Sequence, residues 1–195
     1  MRAAAGEPAG AGPLSRCIGC HGLVPDVEGP THAYMQASPG CWRWYGEIGA
    51  FGMTTPNRVT ASVYHVDCYA VQHPGDAERD RRQRQSVAVH LVSLCLAQQL
   101  GGRFEQGSAR LSARRSRISE RVLPRVGLTD WPYLAPPTDL GAVTVAEVHA
   151  AVDDGADPRR FAALLQDWVH SAWLAWSAHH DTVGVWAAAA LKDSW

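Results

Sequence analysis

Two cysteines set two residues apart, Cys17 and Cys20, followed by His32 and Cys41 at intervals of eleven and eight residues, constrain this chain more than any other feature. They lie in a stretch, 15–53, rich in Gly, Pro and aromatic residues (GLVPDVEGPTHAYMQASPGCWRWYGEIGAFG), where no helical or strand period is sustained. Such a segment buries too little to hold itself together and needs a staple. Two thiolates on a tight knuckle, joined by His and Cys from a later loop, supply four ligands for tetrahedral zinc, and four protein ligands make a closed, structural site. The expectation is a loop-rich N-terminal module stapled by zinc through Cys17, Cys20, His32 and Cys41.

Other uses of the thiols fit less well. Five cysteines cannot all pair, which argues against a disulfide framework. A redox C-x-x-C belongs in a βαβ context that is missing here. Cys17-Ile-Gly-Cys20-His21 matches the attachment motif of c-type haem, but that attachment follows export, and the first residues carry no apolar run of the kind an export signal needs. No stretch of 18 apolar residues occurs either, so the chain is expected to be cytoplasmic and to leave the membrane alone. Residues 1–14, mostly Ala, Gly and Pro, read as a disordered leader, and 15–195 as a single domain in which the 15–53 module packs on a 54–195 helical bundle.

The rest of the chain has helical periodicity. Thr55-Pro56 looks like a cap opening a helix over about 56–72, stopped by His73-Pro74-Gly75. A second, over about 79–100, starts Arg-rich and becomes wholly uncharged through SVAVHLVSLCLAQQL, so its second half should be buried on all sides. A helix is expected over about 108–122 and an ordered, proline-rich connection over 123–143. Thr144 and Glu147 then fit a capping box for a helix to about Val152. Asp157-Pro158 opens a long C-terminal helix that Gly184 would break. Nothing reads as strand, and the fold class is mainly α.

A second chemical set lies on these helices: His65, His73, His90, His179 and His180. His90 interrupts an uncharged run, and a buried imidazole needs partners for its nitrogens. If the first two helices form a hairpin, His65 comes within about one turn of His90. Three converging imidazoles would make an open metal site, with Asp67 or Tyr69 as general base or as an orienting partner. Charge is uneven as well: residues 79–125 carry a net +8 between acidic flanks. That run suits a solvated face, an anionic substrate or an acidic partner; without a helix-turn-helix signature or interleaved aromatics, nucleic acid is not expected.

The words GPTHAYMQASPGCWRWYGE, DCYAVQHPG, QSVAVHLVSLCL and WSAHH resemble a family of small bacterial Cys/His-rich proteins catalogued as a domain of unknown function, from about Cys17 to about Trp186. The resemblance implies a shared fold and a recurring set comprising Cys17, Cys20, His32, Cys41, Asp67, Tyr69, Gln72, His73, His90, His179 and His180, with Gly more usual than His after the C-x-x-C. A weaker architectural likeness to DinB-type helical bundles implies a metal held by three histidines. Two functions follow as expectations. One is a small metal-dependent hydrolase, lyase or transferase acting on a small molecule, with a structural zinc and a second divalent metal. The other is a zinc-stabilised binding or regulatory protein whose 79–125 face meets an acidic partner or nucleic acid.

Overall fold

The structure, a computed structural model, describes residues 12–56, 58–99, 117–153 and 157–192. The chain opens with a two-stranded antiparallel sheet, β1 (Leu14–Arg16) and β2 (Leu23–Pro25), in the register Leu14 to Pro25 and Arg16 to Leu23. The lack of alternation hid these strands in the sequence, because each is three residues long and their ladder is set by the knuckle between them. That knuckle is closed by Cys17 N–H donating to Gly22 O (2.9 Å) and His21 N–H donating to Cys17 O (3.1 Å). His21 adopts φ 62°, where Gly carries no steric cost, and its side chain is exposed.

Seven α-helices follow among the described residues: α1 (Pro39–Thr54), α2 (Arg58–Gln72), α3 (Arg81–Gln99), α4 (Ile118–Arg125), α5 (Val145–Asp153), α6 (Pro158–Ala175) and α7 (His180–Leu191). The mainly α class is as the periodicity indicates, although α1 occupies a segment that has no clear period in sequence. Pro39 at its first position starts it. Thr55, expected to cap α2, instead closes α1, with both its N–H and its hydroxyl bonded to Gly52 O. The capping box of α5 forms: Thr144 N–H donates to Glu147 Oε2 (2.7 Å) and Ala146 N–H to Thr144 Oγ1 (3.2 Å). Asp157 caps α6 by accepting from Arg159 N–H (2.9 Å).

Two boundaries move. The helix expected over 108–122 lies mostly outside the described residues; its described part is α4, which includes Pro124, ends at Arg125 and is followed by Gly127 in the left-handed region (φ 71°), with Leu128 N–H reaching back to Leu123 O. The C-terminal break falls not at Gly184 but at a 3-10 turn, Ser177–His179. There His180 stacks on Trp173 at 3.8 Å and its Nε2–H donates to Trp173 O (2.9 Å), satisfying a carbonyl at the end of α6.

Helix α2 lies at the centre, against α1, α3 and α6, while α7 packs on α3 and α5 bridges α1 to α6. Trp131, Trp168, Trp176, Phe161, Ile48, Leu91 and Leu94 fill the core, and α3 is buried without interruption from Leu91 to Ala97. The hairpin sits on the N-terminal end of α1: a Cβ at Gly40 would lie 2.0 Å from Pro25 O, so this contact requires glycine. The Cys knuckle is thereby delivered to the C-terminal end of α2.

Candidate metal centre

Four side chains meet where β1, α1 and α2 converge. Cys17 and Cys20 come from the knuckle, Cys41 from the first turn of α1, and His73 from the residue just past α2. Their donor atoms all lie within 4.8 Å of one another, and all four residues are buried. Cys17 Sγ is 3.5 Å and Cys41 Sγ 3.3 Å from His73 Nε2, and Cys20 Sγ is 3.9 Å from Cys41 Sγ. The thiols are free, since a disulfide would bring two sulfurs to about 2 Å.

Helix termination aims the histidine. His73 N–H turns back to Ala70 O, and the His73 ring donates through Nδ1–H to Tyr69 O (2.7 Å), the carbonyl four residues earlier. That hydrogen bond fixes the tautomer and leaves the Nε2 lone pair facing the sulfurs. Tyr69 stacks on the ring at 3.9 Å. On the other side the knuckle backbone lies flat against it: a Cβ at Gly19 would fall 2.4 Å from His73 Cδ2. Gly19 N–H and Ser38 N–H each donate to Cys17 Sγ at 3.4 Å, and Ile18 N–H donates to Ser38 Oγ, so the sulfur is embedded in backbone dipoles.

The electrostatics are those of protons crowded where a cation fits. Hydrogen bonds from Cys20 and Cys41 pull the Cys17 thiol far below its usual range, while the bond with Cys17 pushes Cys41 up. Burial pulls His73 down, but hydrogen bonding with Cys17 and Cys20 outweighs it and raises the imidazole to about 9. A dication coordinated by the four atoms would replace these shared protons. A site of three sulfurs and one nitrogen, closed on all sides, can hold a metal ion.

The histidine in this set is not the one that spacing suggested. His32 stands apart: its Nδ1 accepts from Tyr34 N–H (3.5 Å) and Met35 N–H (3.4 Å), and its ring packs edgewise on Tyr34. Spacing looked for the fourth ligand in the same loop, whereas α2 supplies it from 32 residues beyond Cys41. A signal existed in Tyr69-Ala-Val-Gln-His73-Pro74, where a helix ends on a histidine that can bond its own last turn.

The other histidines do not converge. His65 faces α1, stacked on Tyr45 at 4.0 Å with Nε2–H donating to Tyr45 O (2.7 Å). Burial pushes its pKa down to about 4. His90 faces the other side of α2, where its Nδ1 meets Asp67 Oδ1 at 2.6 Å. Residues 65 and 67 are about 200° apart on a helix, so an antiparallel hairpin that engages one cannot engage the other. His179 Nε2–H donates to Ala135 O (2.8 Å), and His180 is held by Trp173 as described. Among the described residues, the Cys17, Cys20, Cys41 and His73 set is the one group of this kind. Asp67 is buried away from it, and Tyr69 lies against it, its hydroxyl without a hydrogen-bond partner among the described residues. Cys68 and Cys95 are buried thiols held protonated by desolvation.

No helix among the described residues is long and apolar enough to cross a membrane. No curated protein and no solved structure matches the chain at a significant level. A family model does match, over residues 15–177, spanning both the knuckle and the helices that complete the centre, and the chain accordingly belongs to the family of unknown function DUF5946.

Proposed function

We propose that this chain is a zinc protein whose metal is structural, held by Cys17, Cys20, Cys41 and His73 and serving to fasten the N-terminal hairpin to the ends of α1 and α2. The observation that carries this is the spacing of the donors. Zinc bonds of about 2.3 Å to sulfur and about 2.0 Å to nitrogen in a tetrahedron put sulfurs about 3.8 Å apart and sulfur about 3.5 Å from nitrogen. Here the Cys20 and Cys41 sulfurs are 3.9 Å apart, His73 Nε2 is 3.3 and 3.5 Å from the Cys41 and Cys17 sulfurs, and every separation in the set falls within 4.8 Å. Three soft thiolates and an imidazole suit zinc among the common divalent metals, and four protein donors leave no position for a substrate.

Chemistry at this metal is therefore not the reading we favour, and any activity on a small molecule would belong to another part of the fold. A role for the basic face in meeting an acidic partner has limited support in its described part. Arg81 and Arg84 both reach Asp130, at 2.9 and 3.5 Å, and Arg82 reaches Asp80 at 3.4 Å, so these guanidiniums are already paired.

The test is metal content by mass spectrometry on full-length protein purified without added metal. One zinc per chain that resists mild chelation is the expected result. Protein that folds fully with no metal, or that carries a readily exchanged one, would overturn the reading.

A further inference from the structure

Asp67 is wholly buried on α2, yet both of its carboxylate oxygens are engaged from α3: Oδ1 by His90 Nδ1–H and Oδ2 by the Ser93 hydroxyl, each at 2.6 Å. An ionised carboxylate can only accept, so the neutral His90 ring must carry its proton on Nδ1 and leave Nε2 bare. No hydrogen bond to that nitrogen occurs among the described residues, and the His90 side chain keeps 13% of its surface exposed. The other histidines are anchored differently. His65, His179 and His180 give Nε2 to a backbone carbonyl, and His149 gives it to the half-exposed Glu47. His90 alone among the described residues joins Nδ1 to a buried carboxylate.

We propose that Asp67 and His90 form a general-base site, separate from the metal centre, in which His90 Nε2 takes a proton from water or from the hydroxyl group of a small molecule. A buried carboxylate on Nδ1 fixes the tautomer, orients the ring and stabilises the imidazolium formed when Nε2 gains a proton. Ser93 is a second positioning residue, holding the carboxylate against rotation. His73 lies six residues along α2 from Asp67, about 9 Å of helix rise, so proton transfer at His90 does not involve the sulfur cluster.

The probe is 4-nitrophenyl acetate with the metal-loaded full-length protein. Water attacks the acyl carbon as its proton passes to His90 Nε2; 4-nitrophenolate leaves with the electrons of the broken C–O bond, and the proton returns to solvent. The expected result is hydrolysis above the buffer rate that slows in heavy water and falls about 100-fold in His90→Gln while metal content is retained. Nitrogen-15 spectra should show His90 as the Nδ1–H tautomer, with Asp67→Asn disturbing it. An Nε2–H tautomer in the wild-type protein, or full hydrolysis in His90→Gln, would overturn the proposal. If His90→Gln fails to fold, carbethoxylation of the wild-type protein decides: faster reaction at His90 than at the exposed His170 supports the site, and slower reaction overturns it.

Discussion

His73 and His90 are built on the same plan and face opposite circumstances. Each has Nδ1 tied to a group on α2 and Nε2 turned outward from that anchor. For His73 the anchor is the Tyr69 carbonyl, the ring is wholly buried and Nε2 meets two sulfurs. For His90 the anchor is a buried carboxylate, and Nε2 has no partner among the described residues. A neutral anchor and a closed cage suit a permanent ligand. A carboxylate anchor and a partly exposed ring suit a group that gains and loses a proton. One helix thus carries two histidine sites whose difference lies in what holds Nδ1 and what Nε2 can see.

The sharpest break between them should come from the metal. Structural zinc contributes of the order of 10 kcal/mol to the folded state of small domains, comparable to a whole domain's stability. Cys41→Ser or His73→Ala should therefore lose the metal and most of the thermal stability, measured as zinc per chain and by circular dichroism melting with and without chelator. His73→Cys, which restores a soft fourth donor, should keep the zinc. His32→Ala should keep it too; the opposite pattern, metal lost with His32 and held without His73, would refute the centre as drawn.

That contrast also shows what was legible in the chain. Cys17, Cys20 and Cys41 stood out because a C-x-x-C knuckle and a third thiol announce themselves locally. His73 stood out only as a member of the helical histidine set, because its place among the cysteines depends on α2 ending against the knuckle, a tertiary fact. The helices declared themselves through caps: Thr144 with Glu147 and Asp157 with Pro158 form as their sequences imply. Helix α1 escaped because its Gly and aromatic residues mask the period, and the convergence expected of three among the five histidines failed because residues 65 and 67 point to opposite neighbours.

A third histidine gives the comparison a pH dimension. His65 reverses the plan, with Nε2 anchored to Tyr45 O and the ring sandwiched at the α1–α2 contact. Its folded pKa of about 4 lies below the unfolded value of 6.5, so its stabilising effect is complete above pH 6.5. As pH falls from there toward 4, the unfolded chain takes up a proton that the folded chain refuses, and up to about 3 kcal/mol is lost. Urea unfolding at stepped pH should show this slope, and His65→Gln, which can still donate to Tyr45 O, should flatten it. An unchanged slope would assign the acid sensitivity elsewhere.

Asp67→Ala should cost about 2 kcal/mol, because it leaves the Ser93 hydroxyl and His90 Nδ1–H without their acceptor. Zinc content should not change. Loss of metal in this variant would mean that the two histidine sites are coupled through α2, and the contrast between them would collapse into one cooperative unit.

The smallest effect is expected at Tyr69, which touches the metal-centre histidine without bonding through its hydroxyl. Its ring stacks on His73 and lies 4.2 Å from Tyr45, while the buried hydroxyl has no hydrogen-bond partner among the described residues. A buried hydroxyl of that kind contributes nothing that a phenyl ring would lose, and its removal relieves a desolvation cost. Tyr69→Phe should therefore change stability by less than about 1 kcal/mol and leave zinc per chain unaltered, whereas Tyr69→Ala should open a cavity behind His73 and cost about 3 kcal/mol or more. A Phe variant that loses zinc would show that the hydroxyl bonds a Cys41 thiolate once the metal is bound. Tyr69 would then count among the groups that tune the cluster rather than those that merely pack it.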